Sequence, residues 1–394
     1  MDLRLQINTS CSFLNLNGSI DPKENLQPMK QFTVLSLLAA LALGACVTGT
    51  ALAQDDSLQS RPKFARLLPK LHADAGKTPL TPLTTWNGSF VYKSHTYNYN
   101  MVGTAPSTGT STTVKTFLIP IALKYVKNGV TTIFTPQTLQ SNGKSAIQNT
   151  INSPIFKNMD WVTPQGTDLG TTQYEDAYQR GNFWGTVAGT NYHVLLGQPK
   201  VVPLQTLTVP AADGSVTTEF GITVGTADIN WFDAQIEAIL TKYAAVITPN
   251  TLPIFITYDS YLTDFGCCIG GYHSSYGSLS APQAYSHFTY IGTPGIFSQD
   301  VSALSHEVGE WLDDPLVVNT NGNPVSCGIL ENGDPEEGFS NYGGFSYTLN
   351  GFTYTLQDLV YLEYFGAPTT TSVDGGTLSF HDNPFHLGVC SNGG

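Results

Sequence analysis

The chain has 394 residues, with 30 Asp and Glu against 17 Lys and Arg, a formal net charge of −13 and only 12% charged residues. That balance argues against nucleic acid as a partner, and beyond an N-terminal apolar stretch no run is long enough to span a membrane. Aromatic residues, Thr, Gly and Asn are abundant, as in many secreted, β-rich proteins.

Taken in order, Met29-Lys30 is followed by an apolar run from Phe32 to Val47 and by Ala51-Leu52-Ala53 before Gln54. A charged start, an apolar centre and an A-x-A site predict a secretory signal peptide over 29–53, with 1–28 an overlong start. Leu43-Gly44-Ala45-Cys46 resembles a lipobox, which would anchor the protein through Cys46. Cleavage after Ala53 is preferred, because the apolar stretch and the small-residue site continue past Cys46. Removing 53 residues from 394 leaves 341. Residues 54–80, polar with scattered prolines, read as a disordered lead or pro-segment. Residues 81–394 read as a single domain, with a β-rich half at 81–225 and a metal-site half at 226–394.

Strand signals begin at Ser89–Tyr92 and Thr96–Tyr99, then at Thr116–Leu123 and Val130–Phe134 around a turn at Lys127-Asn128-Gly129. A helix is expected at about 143–152. Another follows Thr172, which forms a capping box with Glu175 and presents Tyr174, Ala177 and Tyr178 as a core face. Strands are expected near 192–197 and 201–209. A helix over Asn230–Val246, capped by Asn230 or Asp233, turns Phe232, Ile236, Ile239 and Tyr243 inward. Leu252–Tyr258 reads as a buried strand, 264–283 as a Gly/Ser/Cys loop and Tyr285–Ile291 as a strand. Short strands at 345–349 and 352–356 and a helix near 356–363 complete the chain.

The chemistry centres on Leu304-Ser305-His306-Glu307-Val308-Gly309-Glu310-Trp311-Leu312-Asp313-Asp314-Pro315. It reads as a helix starting near Gln299 or Ser302 and stopped at Asp314, since the proline disfavours the α region before it. On that helix His306 and Glu310, at i and i+4, share a face and can share one metal ion. Glu307 takes the place of a general base, so the pattern is H-E-x-x-E, one residue from the H-E-x-x-H of zinc peptidases. A hydrolytic zinc site needs a third ligand. Glu331, 21 residues after Glu310, is preferred, with Asp334 as a second candidate or as the group orienting His306. His273 and His287 are candidates for an oxyanion donor or an alternative ligand. One imidazole with two carboxylates leaves zinc near neutral and acidifies its water less, so Mn²⁺ or Ca²⁺ also suits the set.

The charge pattern reads either as exposed acids that keep an exported protein soluble or as acids partly neutralised by a bound cation. No Lys or Arg follows Lys242, whereas fifteen Asp and Glu lie between Asp259 and Asp382. Cys267, Cys268, Cys327 and Cys390 predict two disulfides joining each of the adjacent pair to Cys327 or Cys390, because a bridge between neighbours is strained.

The run Ser305-His306-Glu307-x-x-Glu310-x-x-x-Asp314-Pro315, followed by Glu331-x-x-Asp334 and Glu337-Gly338, resembles secreted bacterial and fungal zincin-like peptidases. It is also similar to the matching stretch of plant EXORDIUM-type, phosphate-induced secreted proteins. The resemblance covers 305–338, and the chain departs from it with Glu336 in place of a cysteine and Asp313 in place of a threonine. It implies a zincin-like α+β fold and an H-E-x-x-E site completed by Glu331 or Asp334. The expected activity is that of a secreted zinc metallopeptidase acting on protein or peptide. The alternative is a non-catalytic extracellular protein with a structural metal site, binding wall polysaccharide or a protein partner. The oligomeric state is left open.

Overall fold

Strands make up 42% and helices 18% of the computed structural model, which describes residues 62–74, 80–319, 330–336 and 341–382. The first strands are β1 (Lys63–Arg66), β2 (Lys70–His72), β3 (Thr85–Tyr92), β4 (His95–Val102), β5 (Ser111–Lys127), β6 (Val130–Phe134), β7 (Met159–Val162), β8 (Asp168–Thr172), β9 (His193–Leu196) and β10 (Lys200–Val201). They are followed by β11 (Gln205–Thr208), β12 (Gly214–Glu219), β13 (Ile222–Asp228), β14 (Thr251–Tyr258), β15 (Ser260–Thr263), β16 (Cys267–Ser278), β17 (Pro282–Tyr290), β18 (Gly344–Leu349) and β19 (Phe352–Gln357). The helices are α1 (Ala146–Ile151), α2 (Tyr174–Asn182), α3 (Trp184–Val187), α4 (Ile229–Lys242) and α5 (Ser302–Asp313).

Thirteen strands form one mixed sheet, nearly closed and barrel-like, whose main path runs β10-β5-β14-β17-β16-β15-β13-β12. β14 lies parallel to both β5 and β17, and β16 is antiparallel to β17. Side chains on a strand alternate between faces, and both faces here are covered. On β14, Leu252, Ile254 and Ile256 join one apolar cluster while Phe255 joins the other. On β5, Leu118 joins the first, and Phe117, Ile119, Ile121 and Leu123 join the second. Central strands buried on both faces read as continuous apolar runs, as these do.

Helix α4 covers one face with Phe232, Ile236, Ile239 and the half-buried Tyr243, the inward face that their spacing predicts. Its cap is Asp228, which accepts 2.9 Å bonds from the Asn230 and Trp231 amides, rather than Asn230 or Asp233. Asp233 is engaged elsewhere, accepting from Tyr272 and Tyr285. Helix α5 packs against the opposite face, on β16 and β17. Helix α2 is buried along its whole length, but its capping box does not form: Thr172 Oγ1 bonds Asp176 Oδ2 at 2.6 Å, and neither oxygen of Glu175 has a hydrogen-bond partner.

The expected zincin-like α+β class is therefore corrected to a mainly β architecture. Strands also dominate the metal-site half at 226–394. The largest single reason is β16. Its Gly- and Ser-rich sequence reads locally as a loop, yet it pairs with β17 and β15 along one side and with β1 and β2 along the other. Small residues at 267–278 answer to close packing from both faces, and tertiary context overrides local propensity. Residues 62–72, expected to be disordered, contribute two of those pairings. The stretch near 356–363 ends β19 at Gln357 and then forms a short 3-10 turn at Leu362–Phe365 instead of an α-helix.

The disulfide expectation is also corrected. Cys267 is paired with its neighbour Cys268, a bridge the expectation set aside as strained. Cys327, Cys390, Glu337-Gly338, the signal peptide at 29–53 and the alternative anchor at Cys46 lie outside the described residues. Among the described residues no helix is long and apolar enough to cross a membrane.

Candidate metal centre

A helix buried all round is normally apolar all round. Helix α5 is buried from Ala303 to Asp313, yet it carries His306, Glu307, Glu310 and Asp313. It ends where the sequence places its stop, with Asp314 as C-cap before Pro315, and the Asp314 carboxylate accepts from the Val318 and Asn319 amides. Asp313 is satisfied separately by Tyr178, Gln179 and Asn332.

His306 and Glu310 meet as the i,i+4 spacing predicts, with Nε2 to Oε1 at 2.9 Å. Asp334 Oδ1 approaches the same nitrogen at 3.7 Å. From β16, His273 Nδ1 stands 3.4 Å from Glu307 Oε2 and 3.6 Å from Glu310 Oε2. Two overlapping ligand groups result, His306–Glu310–Asp334 and His273–Glu307–Glu310, with ligand atoms in each lying within 4.8 Å of one another. Glu310 offers one oxygen to each imidazole. Two ligands on a tetrahedral zinc at roughly 2.05 Å stand about 3.3 Å apart, and these separations bracket that value. Glu331 lies 4.0 Å from His273 Nε2 and is one of the acids that raise Glu310.

The outer nitrogens fix both tautomers. His306 Nδ1 donates to Gln357 Oε1 at 2.9 Å, and that amide is oriented by donating its Nε2 to the Gly333 carbonyl at 3.1 Å. His273 Nε2 donates to the Asp314 carbonyl at 3.1 Å. His306 Nε2 and His273 Nδ1, which then carry lone pairs, have no hydrogen-bond partner and point at carboxylates. Burial holds His273 at a pKa of about 4, with the Asp314 carbonyl pulling the other way. Burial likewise pushes His306 well below the usual imidazole range. Both rings are therefore neutral near pH 7, the form that ligates metals. Glu310 is raised well above the carboxylate range, first by burial and then by Glu331, Asp334 and Glu307.

Two glycines let the parts approach. A Cβ at Gly271 of β16 would lie 2.6 Å from Glu307 Oε1, and one at Gly333 would lie 2.3 Å from His306 Nδ1. The acidic segment is tied down by Asn332, whose amide reaches Tyr178, the Gly309 carbonyl and Asp313.

The structure thus brings together His273, His306, Glu307, Glu310, Glu331 and Asp334. His287 is left out. It pairs with Tyr272 on the adjacent strand and points to the α4 side, with Nε2 3.1 Å from Thr257 Oγ1 and its ring against Phe232. The strand period of two separates it from His273, which pairs with Ser286. Glu336 also lies apart, buried near Asp358, and burial first and that neighbouring acid second raise it well above the carboxylate range. Sequence reasoning missed Gln357 and Asn332, because their partners are distant in the chain and neither residue type signals the role.

A cavity of about 840 Å³ adjoins the centre, and its wall includes Phe64, Gln357, Asp300, Tyr342 and Phe345. The Phe64 ring stacks on His306 with centroids 3.8 Å apart. Comparison of the chain with protein-family models, curated proteins and solved structures finds no match.

Proposed function

We propose that the protein is a secreted metal-dependent hydrolase of peptide bonds, with His306, Glu310 and Asp334 holding a divalent cation and Glu307 acting as general base. The observation that carries this reading is the convergence of two neutral imidazoles, each with its outer nitrogen tied to an oxygen, on buried carboxylates. Asp334 is preferred to Glu331 as third ligand because it shares the His306 nitrogen with Glu310. Zinc is the first candidate, and the carboxylate-rich set also suits manganese or calcium. The resemblance of 305–338 to secreted H-E-x-x-E peptidases supports the same reading.

A bound cation supplies a Lewis acid at this point. Glu307 then takes the proton of the attacking water and passes it to the departing amine. His273, its Nε2 anchored to the Asp314 carbonyl, turns the Nδ1 lone pair toward Glu307 Oε2 at 3.4 Å and so stands as an alternative ligand for the cation. Burial of His306 and Glu307 favours a second reading, a structural ion in a non-catalytic extracellular protein. Peptide-library hydrolysis by the chain and by Glu307→Gln, each with metal content measured, separates the two. Hydrolysis lost in the variant with metal retained supports the enzyme, and no hydrolysis by the metal-loaded parent chain supports the structural ion.

A further inference from the structure

The strand bearing His273 is covered by the chain's own N-terminal stretch. β1 runs parallel to β16, with Lys63 opposite Ile269, Ala65 opposite Tyr272 and Arg66 opposite His273. β2 continues along the same edge, from Lys70 opposite Tyr276 to His72 opposite Ser278. Between them Ser274 Oγ donates to the Leu67 carbonyl at 2.8 Å. Lys70 makes ion pairs with Asp233 at 2.7 Å and Glu237 at 2.9 Å on α4. Phe64, 2% exposed, stacks on the His306 ring, touches Phe297 at 5.0 Å between centroids, and forms part of the cavity wall.

A strand edge offers backbone donors and acceptors to any extended chain, and pockets beside it select side chains. We propose that the β16 edge is the polypeptide-binding edge of the centre, and that residues 62–72 are its resident occupant. The chemistry it selects is an extended segment with a large aromatic side chain set over His306 and basic residues on either side. Lys63, Arg66 and Lys70 lie within this stretch, in a chain of net charge −13 with no Lys or Arg beyond residue 242. At Lys70, where Asp233 and Glu237 meet it, charge complementarity favours the same occupant as the pairing does. While bound, this stretch closes the approach to His306 from its side, so a substrate enters by displacing it. The inference rests on the hydrolase reading for what becomes of a displacing chain, and not for the pairing.

The test uses the full chain and a double variant, Phe64→Ala with Lys70→Glu, neither residue being part of the proposed catalytic or metal-holding set. With chelator present in all samples, His306 is modified with diethyl pyrocarbonate and the product is mapped by peptide mass. The expected result is a roughly tenfold faster modification in the variant, the effect of weakening the contact by about 1.4 kcal/mol. A synthetic peptide of residues 62–72 added in trans restores protection, and a scrambled peptide of the same composition does not. Equal protection of His306 in parent and variant, or rescue by the scrambled peptide, overturns the proposal. Amide exchange of the unaltered chain guards against a variant that fails to fold. Residues 63–72 and the β16 edge are expected to open together and sooner than β14, and protection equal to that of β14 overturns the proposal. Neither readout requires metal or turnover, so the occupant and the hydrolase reading fail separately.

Discussion

Helices α4 and α5 pack on opposite faces of one sheet and solve different problems. α4 buries Phe232, Ile236 and Ile239 and leaves its other side to solvent, so its sequence is amphipathic and its role is core. α5 is buried on every side and carries two acids and an imidazole on the surface that meets β16 and the segment 330–336. Burial of that many ionisable groups costs stability unless each has a partner, which points to function rather than packing. The same contrast holds within the paired strands β16 and β17. His273 and His287 are both fully buried, yet His273 meets carboxylates and His287 meets Phe232 and Thr257. The face on which a residue falls, rather than its type, decides its role.

The contrast can be broken by substitution. The largest expected effect is at Glu307 on α5: Glu307→Gln lowers peptide hydrolysis by about 10²–10⁴-fold, the range for a general base, with an unchanged melting temperature. On α4 the pattern inverts. Phe232→Ala costs about 3–5 kcal/mol in denaturant unfolding while metal content per folded chain stays constant. Gln357→Ala removes the acceptor that holds His306 and is expected to weaken metal affinity about 10–100-fold in chelator competition. A pH-dependent effect tests a buried acid just ahead of α5. Burial raises Asp300 to about 7, against bonds from the Val301 and Thr355 amides that pull it down. The folded state therefore holds that proton more tightly than the unfolded state. Its stabilising effect is complete below about pH 4 and is lost as pH rises to about 7, at up to about 1.4 kcal/mol per pH unit. Asp300→Asn should flatten that slope in unfolding measured across the window. The smallest effect is at the α4 cap, where Asp228→Ala should cost about 1 kcal/mol in the same unfolding measurement.

What the sequence conveyed follows from the range of the forces involved. The i,i+4 pair His306 and Glu310 and the stop before Pro315 are local, and both form as read. The inward face of α4 is local too. β16 was illegible because Gly271, Ser274 and Ser275 suit a strand closely packed by Glu307, Leu67 and Leu316, a requirement set by residues far away in the chain. The pairing of β1 with β16 was hidden for the same reason, since a short polar stretch acquires strand structure only from its partner. His287 was a false candidate: composition placed it near the site, and the strand period of two removed it.

Whether α5 and the segment 330–336 hold a metal is tested most simply by the metal content of the purified chain beside His306→Ala and Asp334→Ala. At least one divalent ion per chain is expected, lost in both variants while the far-ultraviolet spectrum of the β fold is retained. Metal-free parent protein, or metal indifferent to both substitutions, would contradict the assignment.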